Sequence, residues 1–476
     1  MKYEESKTKI IATVGPASSS KEMLKSLVIA GVDVFRLNFS HASHEEHLEI
    51  IKKIREINTE LNFNTAILAD LQGPKLRIGE VENNAIELVE GQEIVITNEK
   101  CIGTKDKIYL SYPEFAEDVS VGENILIDDG KLKLQVLSTN KKDSVKAKVV
   151  HGGILSSRKG VNLPNTRISL PSLTAKDIID AQFALENGVD WLALSFVRSV
   201  TDIVELKQIV KRAKKSTFVL AKIEKPEALA SLDEIIALSD GIMVARGDLG
   251  VEVDFFEVPL IQKMIVQKCI AAAKPVIIAT QMMESMISNF LPTRAEATDV
   301  ANAVVDGADA LMLSGETSIG ENPLEVIESM HKIIQWTEKK AYKYNRGIAP
   351  QNIAKDKLFD TICFSAARMA AQVKAKAIIT FTFSGYTPFK ISSFRPNAKI
   401  FVFTKNKKLV PKLSLIWGAR TFDFDDHKSI EEAIEFSMKF LKEKGFVKTD
   451  DVVIHVGSTP LLKTGRTNML KISRVE

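Results

Sequence analysis

No two cysteines in this sequence form a CxxC pair. The three present, Cys101, Cys269 and Cys363, are far apart, which argues against a disulfide framework or a cysteine-built zinc site and predicts plain thiols in a reducing compartment. An excess of one charge is also missing. Against 64 basic residues stand 61 acidic ones, a formal charge of +3, so no broad binding to nucleic acid or to a membrane surface is expected and any anion must be held locally. No stretch approaches the roughly 18 apolar residues of a membrane span, and the opening MKYEESKTKIIATVG lacks an apolar core of signal-peptide type. These absences predict a cytoplasmic protein. What the chain does have is apolar sequence, 45% of 476 residues, enough for about three domains with sizeable cores.

Short β-branched runs alternate with helical patterns: KIIATVG, VDVFRLNFS and NTAILADLQG, then, after an interruption, VDWLALSFV, TFVLAKIE, GIMVARGD, PVIIATQM and ADALMLSGE. This is the grammar of parallel βα units, and about eight of them close a barrel. The interruption after Gly73 reads instead as hairpins, AIELVEGQEIVITN and NILIDDGKLKLQVLS, the second with Asp129-Gly130 as its turn signal. An inserted β domain is expected there. Beyond the linker-like NRGIAP, the runs KAIITFT, AKIFVFT and DVVIHVG predict a small open α/β sheet. The fold class is therefore α/β: a (β/α)8 barrel in two parts, 1–73 and 171–346, an inserted β lid at 74–170, and a C-terminal α/β domain at 347–476.

Barrel enzymes carry their chemistry at the carboxyl ends of the strands. Those ends are polar here: Arg36, Asn38 and Ser40, then Asp70, Ser195 and Arg198, Lys222 and Glu224, Arg246 and Asp248, Thr280 and Gln281, Ser314 and Glu316. In FVLAKIEKPEAL the lysine and the acid stand two residues apart, so strand geometry turns Lys222 and Glu224 to one face. Taken alone, that stretch fits a buried ion pair as well as an active site. Convergence of so many polar ends on one rim favours the site. Glu224 and Asp248 can share a hard divalent cation such as Mg²⁺, and Arg36 and Lys222 can neutralise a phosphoryl group in transfer. The segment ARGDL, running from a strand into a helix, offers free backbone N–H groups to a substrate carboxylate. For Thr280 and Ser314 a hydroxyl satisfying local backbone is as good a reading as catalysis.

Other features carry less. His41, His44 and His47 recur at intervals of three, not the i, i+4 of a helical zinc pair, and are expected on the first turns of a helix with His41 near the rim. The loop TFSGYT, with Thr382, Ser384, Gly385 and Thr387, suits either a phosphate cradle or a plain βα turn, and KTGRT supplies a second basic loop with Arg466. KRAKK and KNKK read as solvated faces.

The stretches TKIIATVGPAS, FRLNFSH, GPKLRIG, LAKIEKPEAL, MVARGDLGVE, ATQMMESM and DALMLSGETSIG resemble the signature segments of the pyruvate kinase family, and the resemblance covers essentially the whole chain. It implies transfer of a phosphoryl group from phosphoenolpyruvate to ADP, giving ATP and pyruvate. Carried over position by position, Glu224 and Asp248 would hold Mg²⁺ or Mn²⁺, and Lys222 and Arg36 would meet the phosphoryl group. Ala245, Gly247, Asp248 and Thr280 would surround the substrate carboxylate, with Thr280 on the proton route. His41, Arg77 and Lys176 would face the nucleotide, under a lid that closes to exclude water. The resemblance also implies a homotetramer and a sugar-phosphate or other phosphorylated effector held by Thr382, Ser384, Gly385, Thr387 and Arg466. Phe383 and Tyr386 stand where some regulated members are basic. Two other readings compete: a metal-dependent lyase or aldolase acting on pyruvate enolates, and a non-catalytic metabolite sensor.

One departure is informative. Potassium-dependent members hold K⁺ through groups matching Asn38, Ser40, Asp70 and the next residue, and read DTKGPEIR where this chain reads DLQGPKLR. Leu71 brings no side-chain oxygen, and Lys75 replaces a glutamate. The expectation is that the Lys75 ammonium substitutes for K⁺, which is then not required.

Overall fold

The computed structural model describes residues 6–345, 357–424, 429–459 and 467–476. Eight parallel strands form a closed barrel: β1 (Lys9–Thr13), β2 (Val34–Asn38), β3 (Ala66–Asp70), β4 (Trp191–Leu194), β5 (Phe218–Ile223), β6 (Gly241–Ala245), β7 (Val276–Ala279) and β8 (Ala310–Leu313). Each strand pairs with its sequence neighbours in the barrel, and β1 closes on β8 with Ile11 opposite Met312. Strands buried on both faces must be apolar throughout, hence the near-continuous runs in the sequence.

Alternation along these strands decides what lines the barrel. Ile11, Val34, Leu68, Ala193, Leu220, Met243, Ile277 and Ala310 fill the interior as one buried cluster. Two residues further along each strand, on the same inner side, come Thr13, Arg36, Asp70, Ser195, Lys222, Ala245, Ala279 and Met312. Five of these eight are polar, so the layer at the carboxyl end is where packing gives way to chemistry.

Residues from Leu76 to Ile168 gather into a second core around a six-stranded and a two-stranded sheet. NILIDDGKLKLQVLS is a hairpin, Asn124–Ile127 against Leu132–Thr139, with Asp128, Asp129 and Gly130 at φ 53°, 56° and 85°. AIELVEGQEIVITN is not. Ala85–Leu88 pairs with Gly153–Ser156, whereas Glu93–Thr97 pairs with Ser144–His151 and Lys107–Tyr109. Gly91, at φ 88°, turns the chain from one sheet to another.

The C-terminal sheet has the order Ala419–Asp423, Lys399–Thr404, Ala377–Phe381, Val452–Gly457, Met469–Arg474. Only Met469–Arg474 runs antiparallel. The two outermost strands were not among the predicted runs. No helix of the described residues is long and apolar enough to cross a membrane.

His455 sits on Val452–Gly457, fully buried, and neither ring nitrogen has a hydrogen-bond partner among the described residues. Burial, with a smaller contribution from Lys471, lowers its pKa from the ordinary 6.5 to about 4. The unfolded chain therefore takes up this proton more readily than the folded one. His455 should leave stability unaffected above about pH 6.5 and cost up to about 3 kcal/mol as pH falls toward 4. Denaturant unfolding from pH 7.5 down to pH 4.5 checks this: His455→Leu should flatten the acid-side loss, and an unchanged pH slope would contradict it.

Candidate active site

Lys222 is the hub of the polar layer. Its Nζ lies 2.9 Å from Glu224 Oε1 and 3.3 Å from Asp70 Oδ1, and donates to Ser195 Oγ at 2.7 Å. Ser195 in turn donates to the Leu71 carbonyl at 2.7 Å. Arg36 completes the ring: its Nε donates to Asp70 Oδ2 at 2.7 Å and its Nη1 to Thr13 Oγ1 at 3.0 Å. Glu224 is wholly buried and accepts from the Phe196 backbone N–H at 2.6 Å.

The charges stabilise one another. Burial alone would lower the Lys222 pKa, but Asp70 and Glu224 outweigh it and hold the lysine cationic. Burial would likewise raise Asp70, yet Lys222 and Arg36 bring it below the ordinary value. Glu224 goes the other way: burial raises it, Lys222 opposes, and the Asp248 charge adds to the rise. Two acids on different elements thus face each other, and both need a counter-charge beyond Lys222.

That need tests the site for a cation. Glu224 Oε1 is buried with no hydrogen bond, its approach to Lys222 being an ion pair off the hydrogen-bonding direction. An orphaned carboxylate oxygen beside a half-buried aspartate suits a hard divalent ion. No cluster of three or more acidic, histidine or cysteine ligands occurs among the described residues, which fits an ion completed by water and substrate oxygens.

Asp248 lies in the helix Arg246–Glu252, which starts directly after β6. Ala245 is buried at the end of that strand, and the Gly247 N–H donates to Thr280 Oγ1 at 2.7 Å. Thr280 and Gln281 take φ 70° and 53°, a strained conformation for both, since β-branched or long side chains disfavour the left-handed region. Arg246 braces this turn by donating to the Thr280 carbonyl at 2.7 Å while pairing with Asp299. Ser314 is half-buried, with its N–H donating to Glu316 Oε2 at 2.7 Å.

Around the mouth, His41 is exposed and lies before the helix His44–Leu61, not on it, because Ser43 caps that helix in a capping box with Glu46. Burial, Lys75, Arg77 and Arg36 together lower its pKa, so it is neutral at pH 7 in a field of cations. Lys176 donates to the Phe39 carbonyl at 2.8 Å and to Asp180. Lys75 is exposed, lines a cleft with Asp129, Asn162, Arg198, Lys225 and Asp248, and has no ion-pair partner among the described residues.

Thr13 is not among the strand-end residues read from the sequence, and Ser195 is, though without a role. Thr13 orients Arg36, and Ser195 orients Lys222. Thr13 could have been found by stepping two residues from the apolar centre of β1. The TFSGYT loop leads into the helix Tyr386–Ser393, with Gly385 at φ 89° and its N–H donating to Thr382 Oγ1. Ser384 is exposed, whereas Thr387 is buried with its hydroxyl on that of Thr467 at 2.9 Å. Arg466 lies outside the described residues.

Comparison with known proteins bears on this arrangement from outside. The family model "Pyruvate kinase, barrel domain" matches residues 5–327, and "Pyruvate kinase, alpha/beta domain" matches residues 360–473. The pyruvate kinase of Geobacillus stearothermophilus is 42% identical over 470 residues, covering 98% of this chain and 80% of that protein. That of Staphylococcus aureus (strain MRSA252) is 40% identical over 471 residues, with the same coverage. A crystal structure of a pyruvate kinase from Cryptosporidium parvum superposes with a TM-score of 0.93 at 35% identity, covering 99% of this chain and 96% of that one.

Proposed function

The chain belongs to the pyruvate kinase family, and from that membership we propose how its rim performs the family's reaction. It is a phosphotransferase of glycolysis. The family implies phosphoenolpyruvate and ADP as substrates, a divalent cation and usually potassium. Neither the lyase nor the sensor reading is favoured: the family model matches the barrel, and the similar curated proteins and solved structure are pyruvate kinases.

The observation that carries the residue assignment is the buried charge layer Arg36, Asp70, Lys222 and Glu224, with Asp248 beside it. Lys222 and Arg36 stabilise the phosphoryl group as its bond to the enol oxygen breaks and a bond to the terminal phosphate of ADP forms. Lys222 is pinned by Ser195, Asp70 and Glu224, so little reorganisation accompanies transfer. Glu224 and Asp248 are the protein ligands of Mg²⁺ or Mn²⁺, which when bound supplies Lewis-acid charge to the substrate oxygens. Ala245, Gly247, Asp248 and Thr280 enclose the substrate carboxylate, and the Thr280 hydroxyl belongs to the route that protonates the enolate at carbon. His41, Arg77 and Lys176 receive the nucleotide. The lid, residues 74–170, excludes water that would otherwise take the phosphoryl group. The barrel is residues 1–73 with 171–346, and the regulatory and oligomerisation domain is 347–476.

Potassium independence is part of this proposal. Asp70 Oδ2 accepts from Arg36, while Oδ1 is ion-paired with Lys222 at 3.3 Å without a hydrogen bond. Leu71 packs into the core and brings no side-chain oxygen, which supports an internal cation over a bound one. Lys75 supplies that charge at the cleft. Pyruvate formation from phosphoenolpyruvate and ADP with Mg²⁺ should run at equal rates in sodium-only and potassium buffers, and Lys75→Glu should create a potassium requirement. Strong activation of the unmodified enzyme by K⁺ at saturating substrates would contradict the Lys75 assignment.

Phe255, Phe256 and Leu260 are strongly exposed at the start of the helix Val258–Ala272, which supports burial between subunits and hence a homotetramer. The loop from Thr382 to Thr387 would hold a phosphorylated effector, with Ser384 and Gly385 facing it and Arg466 adding charge. Three free cysteines support a cytoplasmic location.

A further inference from the structure

One buried ion pair beside the rim has no part in the reaction described above. Lys225 and Glu252 are each 5% exposed, with Nζ 2.7 Å from Oε1. Lys225 directly follows Glu224 at the end of β5, and Glu252 ends the helix that carries Asp248 one turn earlier. The pair therefore links the two segments that present the two metal carboxylates. Asn162, on the last lid strand Val161–Asn162, donates from Nδ2 to the same Glu252 oxygen at 2.9 Å. The other oxygen, Oε2, is buried without a hydrogen bond among the described residues. Asn162, Lys225 and Asp248 all line the cleft between lid and barrel.

A buried pair of this kind adds little net stability over an apolar replacement, so its distinctive contribution is geometric. We propose that Lys225 and Glu252 are positioning residues that set the spacing of Glu224 and Asp248, and that Asn162 makes this spacing depend on where the lid sits. Divalent-cation affinity and lid closure are then coupled, and by linkage each favours the other. The proposal rests on Glu224 and Asp248 being the metal ligands.

The test uses the full-length protein without substrates. Mn²⁺ affinity is read by electron paramagnetic resonance, and hydrogen exchange of the lid around Asn162 is followed with and without Mn²⁺. Removing both charges with Lys225→Met/Glu252→Leu avoids stranding one of them. It should weaken Mn²⁺ binding by roughly 10- to 100-fold, the usual effect of losing outer-shell support, with an unchanged melting temperature. Lys225→Arg, which keeps the pair's charges, should bind as the unmodified protein does. Asn162→Ala should abolish the slowing of lid exchange by Mn²⁺. Because Asn162 is half-buried and uncharged, that variant decides the question if the double variant fails to fold. Unaltered Mn²⁺ affinity in a folded double variant, or normal Mn²⁺-dependent protection in Asn162→Ala, would overturn the proposal. Glu224→Gln separates the two layers of the argument: normal Mn²⁺ affinity there removes the ligand assignment itself, whereas weakened affinity beside an unaffected double variant removes only the clamp.

Discussion

Replacing Lys222 with methionine should lower kcat/KM for phosphoenolpyruvate by more than about a hundredfold, equivalent to at least about 3 kcal/mol of transition-state stabilisation. The expectation follows from its position. Lys222 is held by three partners on three different strands or strand ends, so its charge is fixed in advance at the place where the phosphoryl group must pass. Methionine keeps most of the chain length and removes the charge. Asp70 retains Arg36, and Glu224 retains the Phe196 N–H, so the two carboxylates are not left without partners. Thermal unfolding and Mn²⁺ binding serve as controls: a folded variant that binds the ion but turns over slowly isolates the chemical role. Activity near that of the unmodified enzyme would remove Lys222 from the mechanism.

The second large effect is expected at Glu224. Glu224→Gln removes one of two charges facing the cation while preserving shape and an acceptor for Phe196. Mn²⁺ affinity without substrates should fall by more than the roughly 10- to 100-fold typical of losing an outer-shell partner, because a neutral amide oxygen is a much weaker ligand for a hard cation. Asp248→Asn should act in the same direction. Activity should recover in part at high Mn²⁺ concentration, since mass action can refill a weakened site. Affinity unchanged in both variants would mean that the cation is held elsewhere.

How much of this was legible in the sequence depended on whether the signal was local. Barrel strands are buried on both faces, so runs such as VDWLALSFV stand out, and their polar ends mark the rim without any knowledge of pairing. Lys222 and Glu224 were visible because period two along one strand fixes their side. Asp70 was legible as a rim residue, but its role as the anion between Arg36 and Lys222 depends on three strands meeting.

In the lid, AIELVEGQEIVITN looks like a hairpin because its two halves are strands joined by a tight polar link. The halves do not pair with each other: Ala85–Leu88 pairs with Gly153–Ser156 in a separate sheet, and Glu93–Thr97 with Ser144–His151 and Lys107–Tyr109, and no local pattern encodes that. ARTFD and MLKISR are sheet edges, short or half-exposed, so neither shows the apolar run that announced the central strands. Lys225 and Glu252 look like ordinary surface charges until the fold buries both.

The central claim is tested most directly by counting products. With phosphoenolpyruvate, ADP and Mg²⁺, ATP and pyruvate should appear in equal amounts, and omission of ADP should stop both. Pyruvate released without ATP, or no product from a folded enzyme under these conditions, would contradict phosphoryl transfer at this rim.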